Sequence, residues 1–106
     1  MNDEILLLFI TVPNLAEGRD LAKKLLEQKL AACVNLIPQV ESFYWWEGKI
    51  ENNGETLLMI KTMKKEWEKL ESFVRKNHSY SVPEIIGIPI SERSEPYAQW
   101  IKDSVS

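Results

Sequence analysis

The sequence contains few of the residues that disulfides, zinc sites and thiol or imidazole catalysis require. Among its 106 residues there is one cysteine, Cys33, and one histidine, His78. A single cysteine excludes an internal disulfide and therefore the disulfide-rich secreted scaffolds. Cysteine pairs and histidine pairs at zinc-binding spacing are excluded as well. We expect a cytoplasmic location, where free thiols stay reduced.

Long apolar segments and an excess of basic residues are also missing. The longest apolar run, Ile5–Val12, is far shorter than the roughly 20 residues of a membrane helix. No Lys or Arg precedes it, unlike the start of a signal peptide. Thirteen Lys and Arg against sixteen Asp and Glu give a net charge of -3. We therefore expect neither a membrane nor a nucleic acid as partner.

The common catalytic motifs are absent. The sequence has no P-loop, no G-x-S-x-G and no G-x-G-x-x-G. A phosphate-cradling arginine of the acylphosphatase type would have to lie in the loop after the first strand. The nearest arginine, Arg19, falls inside a predicted helix. The sequence therefore predicts a protein that is not an enzyme.

The residues that are present describe an ordinary globular domain. Hydrophobic residues make up 44% and charged residues 27% of the chain, and we expect one domain over residues 1–106. Asn14 and Ser94 are predicted helix caps, Thr62 is a third, and Pro38 marks an edge, bulge or bend. The predicted strands are 5–12, 31–37, 40–49, 56–62 and 84–90; the predicted helices are 14–30, 63–77 and a short one after Ser94. The segments Glu47-Gly48-Lys49 and Glu51-Asn52-Asn53-Gly54-Glu55 both have turn chemistry, and Asn53-Gly54 is the strong hairpin signal.

The order of these elements predicts a ferredoxin-like α+β sandwich, a split βαβ fold of the form βαββαβ. Two features are added to it, an extended and bent central hairpin and a C-terminal helix. Four Trp, three Tyr and three Phe are many aromatic residues for a chain of this length. They either fill the core of a monomer or are covered in part by another subunit.

Five stretches of the sequence resemble the CutA family of divalent-cation-tolerance proteins. The similarity extends over essentially the whole chain, and the order and spacing of the stretches make it specific. They are Leu30-Ala31-Ala32-Cys33-Val34-Asn35, Ser42-x-Tyr44-x-Trp46-x-Gly48-Lys49, Lys61-Thr62, His78-x-Tyr80-x-x-Pro83-Glu84-Ile85 and Tyr97-x-x-Trp100. The chain departs from the family at Ser79, where many members have proline.

This resemblance implies a homotrimer similar in architecture to the PII signalling proteins. It also implies weak binding of copper or another divalent cation, a role in the response to metal ions, and no organic cofactor. Two alternatives remain open. One is a PII-like signalling trimer that binds a small anionic ligand in the cleft between subunits, and the other is a structural trimer without a ligand.

Three residues are candidate metal ligands: Cys33, His78 and Glu84. A thiolate suits soft metals such as copper, although a free cysteine in an apolar strand is often only a buried small residue. His78 precedes Glu84 by six positions across a loop that contains Pro83, which can bring imidazole and carboxylate together. The set would be sparse and open to exchange.

Five further residues are candidates for a ligand pocket or a subunit interface. Ser42, Tyr44 and Trp46 alternate along one face of a predicted strand, where they either pack against another subunit or form a pocket wall. Lys61 and Tyr80 are the polar groups expected to converge there with Glu84. Lys61 either attracts an anion to the start of the second helix or forms an ion pair with Glu84 or Glu55.

Overall fold

The computed structural model describes residues 4–105, which form one antiparallel sheet and three helices. Residues 1–3 and 106, which the predicted domain 1–106 includes, lie outside this part. The strands are β1 (Ile5–Val12), β2 (Cys33–Trp46), β3 (Lys49–Met63) and β4 (Ile85–Pro89). The helices are α1 (Leu15–Glu27), α2 (Trp67–Asn77) and α3 (Glu95–Ser104), and a 3₁₀ turn, Lys64–Glu66, precedes α2.

The strand order β2-β3-β1-β4, antiparallel throughout, confirms the ferredoxin-like α+β fold. β1 is a central strand, as its apolar sequence predicts, and β2 and β4 are the edges. Between residues 4 and 105, no helix is both long enough and apolar enough to cross a membrane.

Two of the predicted helix caps are confirmed. The Asn14 side chain accepts a hydrogen bond from the backbone N–H of Glu17 at 2.8 Å, and the Ser94 hydroxyl accepts one from Tyr97 at 3.3 Å. Both caps satisfy backbone donors that the first helical turn leaves free. α1 ends at Glu27, three residues before its predicted end, because Lys29 adopts a left-handed conformation with φ of 57°.

The two strands predicted on either side of Pro38 form a single strand with a bulge. Ile37 lies opposite Leu57 and Val40 lies opposite Glu55, so β2 has one more residue than β3 between these pairs. Gln39 supplies the left-handed conformation, with φ of 63°. The extra residue shifts the alternation of side chains, so that Val40 continues the face of Cys33, Asn35 and Ile37.

The hairpin turn is not at Asn53-Gly54, and that prediction is wrong. The turn is Glu47-Gly48, in the other segment with turn chemistry. Its φ values of 50° and 80° fit a two-residue turn with both central residues left-handed. Asn53 lies inside β3 opposite Ser42, and its side-chain amide donates a 2.6 Å hydrogen bond to the Tyr44 hydroxyl. Cross-strand pairing therefore overrides the local turn preference of Asn-Gly.

The prediction that Thr62 caps the second helix is also wrong. Thr62 is fully buried in β3, and its hydroxyl donates a 2.7 Å hydrogen bond to the carbonyl oxygen of Leu30. β3 continues to Met63, which pairs with Ile5, and the 3₁₀ turn then leads into α2. A buried hydroxyl requires a hydrogen-bond partner, and here the acceptor lies in the segment that joins α1 to β2.

The two faces of the sheet differ in how they are covered. α1 and α2 cover one face, and the main core lies there, including Leu8, Ile10, Leu25, Leu58 and Leu70. α3 covers only one end of the other face, over Ile5, Ala32 and Met63. We call the rest of this second face the bare face. Its members are Leu7, Phe9, Cys33, Asn35, Ile37, Leu57, Met59, Lys61, Ile86 and Ile88.

The glycines of the hairpin provide a test of where the turn lies. Gly48 has φ of +80°, a conformation that costs an L-residue about 1 kcal/mol, so Gly48→Ala should destabilise the protein by about that amount. Gly54 lies in β3 with no atom within 4 Å of an added Cβ, so Gly54→Ala should be neutral or slightly stabilising. Urea unfolding of both variants measures the difference. Equal destabilisation, or a larger effect of Gly54→Ala, would contradict the assigned turn.

Candidate functional site

His78 fixes the loop between α2 and β4. Its side chain is completely buried, and its Nε2 lies 2.7 Å from the carbonyl oxygen of Thr11. Its Nδ1 accepts a 3.0 Å hydrogen bond from the backbone N–H of Tyr80. Because Nδ1 accepts, Nε2 must carry the proton that it donates to Thr11. Both ring nitrogens are occupied, so the imidazole joins the loop to the end of β1.

Ser79 strengthens the same junction. Its backbone N–H and its hydroxyl both donate to the Glu17 carboxylate, at 3.1 and 2.9 Å. A proline at this position would have neither donor. Glu17 thus binds the loop with its side chain as well as donating its backbone N–H to the α1 cap. The hydrogen bonds of Ser79 hold the loop where proline would restrict the backbone instead.

A groove of about 880 Å³ lies between this loop and the outer half of β2. Five of the predicted site residues line it: Ser42, Tyr44, Trp46, Tyr80 and Glu84. The remaining lining comes from Thr11, Glu41, Phe43, Trp45, Glu55, Ser79, Ser81, Val82 and Pro83. The bulge in β2 and the anchored loop together position these side chains. The structure therefore brings most of the predicted pocket together within one chain.

The groove is acidic. Glu41, Glu55 and Glu84 line it, whereas its lining contains no Lys, Arg or His. Glu55 is 7% exposed and accepts a 2.9 Å hydrogen bond from the Tyr80 hydroxyl. Burial, together with this hydrogen bond to Glu55, raises the pKa of Tyr80 well above its usual range. Burial and the charge of Glu55 raise the pKa of Glu84.

Lys61 does not line this groove. It lies on the bare face, between Leu7 and Cys33 on the neighbouring strands, and its ammonium donates a hydrogen bond to the side-chain oxygen of Asn35. The predicted ion pair with Glu84 or Glu55 is therefore not the contact that forms. Lys61 is also separated from the first residue of α2 by the end of β3 and the 3₁₀ turn.

Cys33 belongs to this second cluster. Its Sγ lies 3.9 Å from the Asn35 side-chain oxygen, and it is partly exposed. Tyr97 of α3 is its other polar neighbour: burial raises the pKa of the Tyr97 hydroxyl, and the adjacent Cys33 adds to the rise. The thiol is thus at one edge of the bare face, in contact with polar groups.

The three predicted metal ligands do not meet. Within residues 4–105, no group of three His, Cys, Asp or Glu side chains is placed to hold a metal ion. Cys33 pairs with Lys61 of β3, which pairs in turn with Leu7 of β1. His78 contacts Thr11, four residues further along β1. At the spacing of residues in a strand, Leu7 and Thr11 are about 13 Å apart. Glu84 lines the groove, whereas Cys33 and His78 do not.

Two residues that shape the site, Glu55 and Glu17, are not among the predicted site residues. The sequence predicts Glu55 only as the end of a turn segment and as one possible partner of Lys61. Had β3 been extended through that turn, the alternation of side chains would have placed Glu55 on the same face as Leu57 and Met59. Glu17, three residues after Asn14, fits the return partner of a capping box, and no local signal indicates its contact with Ser79.

Comparison with known proteins gives the same fold and a family. The family model for the CutA1 divalent ion tolerance protein matches residues 6–104. Protein CutA, chloroplastic, from Arabidopsis thaliana is 46% identical over 99 residues, which are 93% of this chain and 54% of that protein. The divalent-cation tolerance protein CutA of Archaeoglobus fulgidus is 43% identical over 98 residues, covering 92% and 95%. The chain thus spans about half the length of the plant relative and nearly all of the archaeal one.

Solved structures agree with this assignment. The crystal structure of CutA1 from Oryza sativa superposes with a TM-score of 0.94 at 43% identity and covers 97% of this chain and 94% of its own. The periplasmic divalent cation tolerance protein CutA from Archaeoglobus fulgidus gives 0.93 at 41% identity and covers 96% and 99%. The family match, the sequence identity and the shared fold together place this chain in the CutA1 divalent ion tolerance protein family.

Proposed function

We propose that this chain acts as a homotrimer in the response to divalent metal ions, by binding rather than by catalysis. The bare face is the observation that supports assembly. Ile37, Ile86 and Ile88 on it are 41%, 53% and 49% exposed, beside the partly exposed Leu7 and Phe9. Adjacent exposed apolar side chains of this kind are typical of a subunit interface.

The hairpin of β2 and β3 adds a second contact surface to this proposal. It extends beyond the sheet, and Phe43, Trp45 and Ile50 near its tip are 67%, 72% and 65% exposed. Tyr44 and Trp46, the residues predicted for the interface, lie on the other side of the hairpin and are less exposed. Both sides of the hairpin are therefore available to a neighbouring subunit, and the strand edge of β2 is available for pairing.

A charge on the bare face tests the proposed trimer. Ile86→Glu should leave the chain folded, because the side chain is half exposed, but should prevent assembly by placing a charge in each copy of the interface. The matched control is Leu26→Glu on α1, since Leu26 is 44% exposed on the opposite side of the molecule. Sedimentation at micromolar concentration should give three chains for wild type and Leu26→Glu, and one for Ile86→Glu. A monomeric wild type, or a trimeric Ile86→Glu, would contradict the proposal.

We further propose that copper binds at Cys33 and binds weakly. The thiolate is a soft ligand, and the Asn35 oxygen lies beside it. Lys61 lies directly opposite Cys33, and its positive charge repels a cation at this position. Glu84 is too distant to contribute within the same chain. His78 can contribute to a copper site only by giving up a hydrogen bond, because both of its ring nitrogens are occupied.

Copper titrations of three variants test this assignment. Cys33→Ser should lower the affinity for copper(I) by about tenfold or more, whereas His78→Gln should lower the thermal midpoint but not the affinity. Lys61→Met should raise the affinity, since it removes the repelling charge. Anaerobic competition against a chromophoric copper chelator measures all three. Unchanged affinity in Cys33→Ser would show that copper binds elsewhere, and a large loss in His78→Gln would favour the originally predicted ligand set.

We also propose that the protein is located in the cytoplasm. One free thiol suits a reducing cytoplasm. The relative from Arabidopsis thaliana is named chloroplastic, and the one from Archaeoglobus fulgidus is named periplasmic. Cell fractionation with an antibody against the chain distinguishes these locations.

A further inference from the structure

Asn53-Gly54, the strong hairpin signal of the sequence, has no part in the turn. Both residues lie inside β3, and the turn is Glu47-Gly48. Gly54 belongs to the strand, and a Cβ added to it would meet no atom within 4 Å. Neither a left-handed backbone nor close packing therefore requires glycine at this position. Glycine does leave an unhindered backbone nitrogen next to the Asn53 side chain.

An asparagine that precedes glycine can react with its own backbone. The backbone nitrogen of Gly54 gives its proton to hydroxide and attacks Cγ of Asn53. A bond forms between this nitrogen and Cγ, the bond from Cγ to Nδ2 breaks, and the Nδ2 group takes a proton from water and leaves as ammonia. Water then opens the five-membered succinimide to aspartate or isoaspartate. This deamidation is one reason why asparagine is a thermolabile residue.

The closed hairpin opposes the reaction. The attack requires rotation about the bond between Cα and the carbonyl carbon of Asn53, out of the extended conformation of a strand. Pairing with Ser42 holds the backbone extended, and the Asn53 amide donates its 2.6 Å hydrogen bond to the Tyr44 hydroxyl. Backbone and side chain must both be released, so the reaction proceeds through states in which this part of the hairpin is open.

The outer part of the hairpin can open without unfolding the core. β1 ends at Val12, which pairs with Thr56, so that residues 49–55 of β3 have only β2 as a neighbouring strand. On β3 the main core begins at Leu58, and Asn53 itself is exposed. Segments with few buried apolar contacts open at a lower free energy than the whole domain.

The products change the hairpin in one direction only. Residues 51, 53 and 55 share one side of β3, so a carboxylate at position 53 would stand between Glu51 and Glu55 and be repelled by both. Isoaspartate also adds one carbon to the backbone, which breaks the register with β2. We propose that Asn53 is a spontaneous modification site, restrained by strand pairing and by Tyr44, whose deamidation irreversibly loosens the outer hairpin.

The rate of deamidation in the folded protein is the first test. The full chain is incubated at mildly alkaline pH and digested with trypsin, and mass spectrometry follows residues 50–61, which lie between two tryptic cleavage sites. Isoaspartate is detected by enzymatic methylation. We expect Asn53 to react about tenfold to a hundredfold more slowly in the protein than in the same segment free in solution, because only open states react. Asn52, which precedes a residue with a side chain, should react more slowly than Asn53 in both.

Three variants separate the contributions. Tyr44→Phe removes the acceptor for the Asn53 amide and should speed the reaction about two- to tenfold. Its matched control is Tyr97→Phe, which removes a hydroxyl from α3 and should leave the rate unchanged. Gly54→Ala should slow the reaction about tenfold or more, since a Cβ hinders the attacking nitrogen, while the stability of the fold hardly changes.

Assembly is a second source of protection, and Ile86→Glu distinguishes it. All the reacting groups come from one chain, so the modification does not require the proposed trimer. Tyr44→Phe should accelerate the reaction by the same factor with and without Ile86→Glu. An acceleration seen only in the assembled protein would show that Tyr44 acts through the subunit contact, and would overturn its proposed role.

The modified protein provides the second test. Its added negative charge allows separation by anion exchange, and hydrogen exchange then compares it with the unmodified protein. Amides of residues 43–52 should exchange faster after modification, whereas those of β1 should not change. Equal exchange in both fractions would show that the hairpin is not loosened.

Three further outcomes would overturn the proposal. One is a rate in the folded protein equal to that of the free segment, or no measurable reaction, since the strand would then either not restrain Asn53 or never release it. Another is equal acceleration by Tyr44→Phe and Tyr97→Phe. The last is an unchanged rate in Gly54→Ala, or aspartate without isoaspartate, either of which would exclude the succinimide.

Discussion

The antiparallel pairing of β2 with β3 determines where the candidate groups on these two strands lie, including Cys33, Tyr44, Glu55 and Lys61. The two strands are much longer than β1 and β4, so the hairpin extends beyond the sheet and exposes its aromatic residues. One extra residue between Ile37 and Val40 reverses the alternation of side chains midway. Without this bulge, Val40, Ser42 and Tyr44 would lie on the helix side, and Glu41, Phe43 and Trp45 would lie on the side of Glu55 instead.

Sequence reasoning succeeded where the physical signal is local. A helix cap such as Asn14 depends on a residue three positions away, and the strand β1 depends on eight consecutive residues. It failed where a distant partner overrides a local preference. Asn53-Gly54 favours a turn, but pairing with Ser42 and the hydrogen bond to Tyr44 keep it extended. Thr62 could cap a helix, but its hydroxyl donates a hydrogen bond to the carbonyl oxygen of Leu30, thirty-two positions away.

The candidate site was predictable as a set of residues but not as a geometry. The resemblance to the family selected His78, Tyr80 and Glu84 together, and the loop does place the last two in one groove. It also grouped Cys33 with His78, which the sheet register keeps apart. The role of a titratable residue depends on what its atoms contact. His78, the only imidazole, is bound through both nitrogens and so fixes the loop rather than presenting a free ligand.

The separation of charge on this side of the sheet limits what each end can bind. Lys61 places a positive charge beside the thiol of Cys33, whereas Glu55 and Glu84 place negative charges in the groove. A metal cation is therefore disfavoured beside the soft ligand, the thiol of Cys33. The loop that shapes the groove is held at His78 and Ser79 by contacts to Thr11 and Glu17, so its position is fixed by hydrogen bonds within the same chain.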